Sequence, residues 1–170
     1  MSSAPDQLLD ALRLAPEEAV VERSYPLVRF TRLTDRLATS AGEARARLAF
    51  KVVGGVPTGV LRLRAEVVLD CQRCLGPVRR ILESTSLLAF VQSEDAPVPA
   101  DHDTIAGDPE RIDLATLVED ELLLSLPLVA RHRADEDCNP AVPGAAGAGR
   151  EPRVVETRRP FALLKDLLKH

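Results

Sequence analysis

From Ala44 onward the chain alternates apolar and polar residues with a period of two, and that alternation restricts the fold more than any other feature. Ala44, Ala46, Leu48, Phe50 and Val52 fall on one side, while Arg45, Arg47, Ala49 and Lys51 fall on the other. Successive side chains of a strand point to opposite faces, so this pattern marks a half-buried strand. Gly54-Gly55-Val56-Pro57 supplies a turn. The alternation then resumes, with Leu61, Leu63, Ala65, Val67 and Leu69 inward and Arg62, Arg64 and Glu66 outward. A third extended run covers residues 78–92. Three consecutive strands with short connections predict an antiparallel meander with one packed face and one solvated face.

The flanking segments read as helices and loops. Residues 1–19 predict an N-terminal amphipathic helix, with Leu8, Leu9 and Leu12 at helical spacing before Pro16 interrupts. A strand-like run follows over 19–30, broken by Pro26, and residues 31–37 allow one or two helical turns. The acidic, Pro-rich stretch 94–109 reads as a surface loop. A helix is expected to start at Asp113, whose carboxylate can cap it, and to stop at Pro127. Residues 140–157 are expected to form a flexible linker, and 159–169 a C-terminal helix. The whole, residues 1–170, is read as one domain of α+β class: an antiparallel β-sheet meander, open or barrel-like, with a few packed helices.

Aromatic residues make up only 3% of the 170 residues, so the core must be built from Leu, Val and Ala. The net charge of −4 is unlike that of a dedicated nucleic-acid domain, which is globally basic. The small total hides an asymmetry. Residues 44–80 carry eight bases and two acids, a net of +6, whereas residues 94–121 carry ten acids and one base, a net of −9. No stretch reaches the roughly 18 consecutive apolar residues of a membrane helix. The opening MSSAPDQLLD has acids where a signal peptide has a basic start. A cytoplasmic protein with no membrane partner is expected.

Three cysteines are too few for a disulfide framework. Cys71 and Cys74, in a C-x-x-C at the end of the second strand, can face one ion across a tight turn. His132 and Cys138 would complete a Cys3His set, and thiolate and imidazole donors in a closed tetrahedral site suit one structural Zn2+. Two alternatives stand beside it: unbound thiols acting as small hydrophobes, and a redox pair. The redox reading is disfavoured because the motif opens no helix that would lower a thiol pKa.

On paired strands Arg45, Arg47 and Lys51 would share a face with Arg62 and Arg64, with Arg79 or Arg80 beside them. Arginine forks grip phosphate two-pronged, so a folded RNA backbone is a reasonable ligand. Base stacking needs aromatics this sheet lacks, so contact would read shape and phosphate. A plainer reading is that any solvated sheet face is polar and this chain favours arginine. Asp113, Glu119, Asp120 and Glu121 form an acidic segment that offers a protein-interaction surface. Consecutive helical residues fall on different faces, so most of it should be exposed, with Glu121 on the apolar stripe and able to pair with an arginine at the sheet edge. Asp101-His102-Asp103 lies in a polar loop and reads as solvated. No phosphate loop, nucleophile elbow or Ser/His/Asp grouping is present, so a non-enzymatic protein with no small-molecule substrate is expected.

Three segments in order then point to a family. The run from Glu66 to Leu75, EVVLDCQRCL, resembles the hallmark of the YceD-like family, the large ribosomal RNA subunit accumulation proteins. Ile112-Asp113-Leu114 leading into VEDELLLSLPL at 118–128, followed by His132 and Cys138, is similar to it as well. So is the closing Arg159-Pro160-Phe161-Ala162-Leu163-Leu164. The match spans about residues 40–168, and the first 35 residues match least. The resemblance implies a bacterial or plastid-derived cytoplasmic protein needed for large-subunit (23S) rRNA to accumulate, with no established catalytic residues. The expected function is therefore a ribosome biogenesis factor that meets large-subunit rRNA or its precursor, and with it a ribosomal protein. The alternatives are a zinc-stapled module that binds a basic ribosomal protein without RNA, and, more weakly, a thiol oxidoreductase using Cys71 and Cys74.

Overall fold

The period-two runs of the sequence become long strands in the computed structural model, which describes residues 8–132 and Cys138. Strand β1 covers Val20–Pro26, β2 Glu43–Val53, β3 Val56–Asp70, β4 Pro77–Val91 and β5 Asp103–Ala106. They form one five-stranded sheet in the order β1-β2-β3-β4-β5. The first three pairings are antiparallel, and β5 runs parallel to β4. The fold is thus α+β, with a mixed, mostly antiparallel sheet.

Two details differ from the sequence reading. The sheet is not wholly antiparallel, because part of the expected 94–109 loop forms β5, placing Ile105 opposite Phe90. A parallel neighbour needs a long crossover, which residues 92–102 supply. The sheet is also not closed into a barrel, since β1 and β5 do not pair with each other.

Val53 pairs directly with Val56, so the β2–β3 turn is the two residues Gly54-Gly55, at φ 59° and 82°. Two successive positive φ values match the right-handed twist of the hairpin, and glycine adopts them without strain. Val56 and Pro57 already belong to β3. The inward row of β2 is buried from Ala44 through Phe50, while Val52, near the turn, is exposed.

The inner face of the sheet carries the core. Leu48, Leu61 and Val67 are fully buried there, and Phe50 stacks obliquely on Phe90 with centroids 5.7 Å apart. Three short helices contribute to that core: α1 (Ala11–Leu14), α2 (Thr31–Thr34) and α3 (Leu114–Leu124). Of the helix expected over 1–19, residues 11–14 are helical, capped by the Asp10 carboxylate on the Arg13 N–H, and residues 1–7 lie outside the described residues. Leu9 instead exchanges backbone hydrogen bonds with Ile112, tying this segment to the start of α3. Helix α3 begins where expected: Asp113 accepts from the Ala115 N–H at 2.9 Å. It buries Leu114, Val118 and Leu122, a burial of about 1.5–3 kcal/mol for each large side chain. The expected 140–157 linker and 159–169 helix lie outside the described residues. No helix among the described residues is long and apolar enough to cross a membrane.

Candidate functional site

The β3–β4 connection, residues 71–76, is folded by its own backbone. The Cys71 N–H donates to the Gly76 carbonyl and the Leu75 N–H to the Cys71 carbonyl, both at 2.8 Å, with Leu75 in the left-handed region at φ 58°. This tight turn buries Cys71 and Cys74 on one side. A third bond, from the Gln72 N–H to the Ala130 carbonyl at 2.8 Å, fastens the segment that follows α3. That segment delivers His132 and Cys138.

The four donor atoms of Cys71, Cys74, His132 and Cys138 all lie within 4.8 Å of one another, close enough to hold a metal ion. The Cys71 and Cys138 sulfurs are 4.0 Å apart, and all three thiols are free of disulfides. His132 Nδ1 sits 3.6 Å from the Cys74 sulfur and 3.4 Å from the Cys138 sulfur. Its other nitrogen, Nε2, lies 3.2 Å from the Pro77 carbonyl. A carbonyl only accepts, so Nε2 is the donor in that contact, and Nδ1 is the ring nitrogen that faces the thiols and is placed to serve as a ligand.

Electrostatics favour the thiolate of Cys71 and oppose that of Cys138. Burial works to raise the Cys71 thiol, but backbone N–H groups of Cys74, Arg73 and His132, with the Cys74 thiol, outweigh it and bring it down to about 5. Burial pushes the Cys138 thiol up. The Arg73 guanidinium opposes that rise, and the neighbouring Cys74 and Cys71 thiols add to it. Arg73, inside the C-x-x-C, donates from Nε and Nη2 to the Cys138 sulfur at 3.3 and 3.0 Å. Sequence reasoning counted Arg73 only as a charge. Its position between two cysteines was the available signal.

The outer face of the sheet gathers the arginines. Arg45 stands opposite Arg64, and Arg47 opposite Arg62, with Lys51 further along β2 and Arg79 on β4. All six side chains are exposed. Carboxylates stand among them: Arg45 pairs with Glu43, Arg47 with Glu22, Arg64 with Glu83 and Arg79 with Glu66. Among the described residues Arg62 and Lys51 have no carboxylate partner. Arg80 faces the other way from Arg79 and bonds the Arg131 carbonyl, beside the Cys/His cluster. The arginines therefore converge, but on a face that alternates in sign.

The acidic residues of α3 are largely occupied within the molecule. Glu119 is buried, and accepts from the Arg32 and Leu33 N–H groups at 2.8 and 3.3 Å and from the Arg32 guanidinium. Burial works to raise its carboxyl, yet Arg32 and these N–H donors hold it below the usual carboxylate range. Asp120 pairs with Arg32 at 2.7 Å. Glu121 accepts from Ser84 and Ser86 of β4 rather than from an arginine. Asp113 is exposed and spends its carboxylate on capping α3. In the 94–109 segment, His102 Nδ1 bonds the Ala100 carbonyl at 3.0 Å.

A mostly antiparallel sheet whose β3–β4 connection carries two donors of a Cys3His group, with the other two from the chain that follows a packed helix, makes this a small α+β protein with a group close enough to hold a metal ion. Residues 60–168 match the family model described as Large ribosomal RNA subunit accumulation protein YceD, so the chain belongs to the YceD family. Among curated relatives, the large ribosomal RNA subunit accumulation protein YceD of Haemophilus influenzae is 28% identical over 150 residues, covering 84% of each chain. No solved structure matches the chain.

Proposed function

We propose that this protein is a non-enzymatic, cytoplasmic factor for the accumulation of large-subunit rRNA, which it contacts directly, or in precursor form, through the outer face of its sheet. The observation that carries this reading is the register of β2 against β3, which sets Arg45 opposite Arg64 and Arg47 opposite Arg62. Like charges directly across a sheet destabilise it, so a face that keeps two such pairs together is suited to an anion. Family membership supplies the class of anion, through the name its relatives carry. The four phenylalanines and one tyrosine of the chain include none on this face among the described residues, so phosphate and shape would be read rather than stacked bases. The acidic alternative has less to work with, because Glu119 and Glu121 are turned inward onto Arg32, Ser84 and Ser86.

The Cys/His cluster is read as one structural Zn2+. Zinc at about 2.3 Å from sulfur and 2.0–2.1 Å from nitrogen requires tetrahedral edges of roughly 3.8 Å between sulfurs and 3.5 Å between sulfur and nitrogen. The 4.0 Å, 3.6 Å and 3.4 Å separations lie close to these edges, and the remaining ones, all within 4.8 Å, would shorten by up to about 1 Å around the ion. With four protein donors no position stays open, so the ion would fasten the β3–β4 turn to the segment after α3. Elemental analysis should find about one zinc per chain, lost in Cys71→Ser.

The RNA role is tested by reversing Arg45, Arg62 and Arg64 to Glu. Co-sedimentation with large-subunit particles or their precursor should disappear, and unchanged association would remove the RNA reading. Pull-down from nuclease-treated lysate separates the alternative, because only protein bridging survives loss of the RNA.

A further inference from the structure

We infer that Glu22, Glu43 and Glu83 act as built-in stand-ins for phosphate, holding the arginine face in a binding-ready arrangement from which an RNA backbone displaces them. This rests on the RNA reading above and goes beyond it by assigning a role to the acids of that face.

A hollow of about 330 Å³ opens on the outer side of β1–β3, where Arg45, Arg47, Arg62 and Arg64 line it with a single acid, Glu22. Glu43 and Glu83 stand just outside it, each on one of the arginines that line it. In all three pairs both partners are more than half exposed. Solvated pairs of this kind are worth little, so a competing anion meets a small barrier. A phosphodiester oxygen pair offers each guanidinium the same two-pronged geometry as a carboxylate.

Arg62 completes the arrangement. It sits in the hollow across from Arg47 and has no carboxylate partner among the described residues. Phosphate can engage it without displacing anything, and its neighbours exchange afterwards. The acids relieve repulsion between opposed arginines in the free protein, and being weakly held they yield to a polyanion that engages several guanidinium groups together.

The test compares wild type with the triple variant Glu22→Gln, Glu43→Gln, Glu83→Gln for binding to a fragment of large-subunit rRNA at about 0.15 M salt. A control variant, Glu94→Gln, Asp95→Asn, Glu110→Gln, removes the same charge away from the hollow. Exposed charges beyond a Debye length of about 8 Å are largely screened, so the control should shift affinity little. The hollow variant should bind about tenfold tighter, while its thermal midpoint falls because the opposed arginines have lost their counter-charges. Opposite movements of affinity and stability would not come from a purely structural role. Binding by wild type that the triple variant leaves unchanged, or tightens no more than the control does, overturns the inference alone. No RNA retention by any of these proteins removes the RNA reading and the inference with it. Wild type that holds polyglutamate as firmly as RNA assigns the face to an acidic protein and overturns the inference as well.

Discussion

Arg73 grips Cys138 with two donors, Nε at 3.3 Å and Nη2 at 3.0 Å from the same sulfur. The two residues arrive from opposite ends of the site: Arg73 from within the C-x-x-C turn, Cys138 from beyond α3. Cys138 is also the one cysteine that is not fully buried. With zinc bound as proposed above, a guanidinium on this sulfur would fix the position of that ligand and offset the negative charge that three thiolates bring to one ion. Groups of this kind behind a metal ligand are worth about 10–100-fold in metal affinity. Arg73→Ala should therefore weaken zinc retention about tenfold in competition with a chromogenic chelator, with Arg73→Lys in between because it keeps the charge and loses the fork. Equal retention by all three proteins would show that Arg73 merely rests against the sulfur.

How much of this was legible in the sequence depended on the range of the signal. The strands β2 to β4 were written in the alternation itself, and with them the placing of Arg45, Arg47, Arg62 and Arg64 on one face, whereas the pairing of Arg45 with Arg64 and Arg47 with Arg62 follows from a turn of two residues rather than the four expected. The Cys/His cluster was legible from donor chemistry, although 58 residues separate Cys74 from His132. Strand β5 was not, because four residues with a parallel partner on one side carry too little alternation to stand out. Glu119 was misjudged as exposed: helical spacing identifies the Leu114-Val118-Leu122 stripe but not what α2 places beside it, and its partner Arg32 lies 87 residues away. The carboxylates on the arginine face divide the same way. Glu83 sits on the outward row of a readable strand, whereas Glu22 meets Arg47 only through the register of β1, which nothing local fixes.

The Glu119–Arg32 contact should be visible in acid. The Glu119 carboxyl is held below its ordinary value in the folded protein. A group whose folded pKa is depressed stabilises the fold above its unfolded pKa, about 4.3 for Glu, and that contribution is lost as pH falls through the lower folded value. Urea midpoints should thus decline below about pH 4.3, with a shallower decline in Glu119→Gln. Glu119→Ala should cost about 1–3 kcal/mol at neutral pH, because it strands the N–H of the fully buried Leu33. Identical acid profiles for wild type and Glu119→Gln would show that the contact carries no differential charge energy.

Gly59 tests the packing under the same sheet without touching its outer face. It pairs with Phe50 on the inner side, and a Cβ there would come within 2.7 Å of Leu48 Cδ1 and 3.2 Å of Phe90 Cε2. Both neighbours belong to the buried core, with Phe90 already leaning on Phe50. Gly59→Ala should therefore destabilise by about 1–3 kcal/mol in chemical unfolding, as overpacked cores do, while RNA affinity of the folded protein stays the same. A neutral or stabilising effect would mean that Leu48 yields freely, and that the core between β2 and β4 is looser than its burial indicates.

Salt dependence distinguishes the two faces of the sheet directly. The observed binding constant falls with salt in proportion to the number of phosphates neutralised, and removing one phosphate-contacting side chain lowers the slope of the logarithmic plot by about 1. Arg62 points out from the centre of the arginine face with no carboxylate partner among the described residues, so Arg62→Ala should lower the slope by about one and weaken binding at every salt concentration. Arg80 is adjacent in sequence to Arg79 but points to the opposite side of the sheet, where it bonds the Arg131 carbonyl. Arg80→Ala should leave the slope as it is. If instead Arg80→Ala flattens the plot and Arg62→Ala does not, the RNA meets the end of the molecule that carries the Cys/His cluster, and the outer face of the sheet is an ordinary solvated surface.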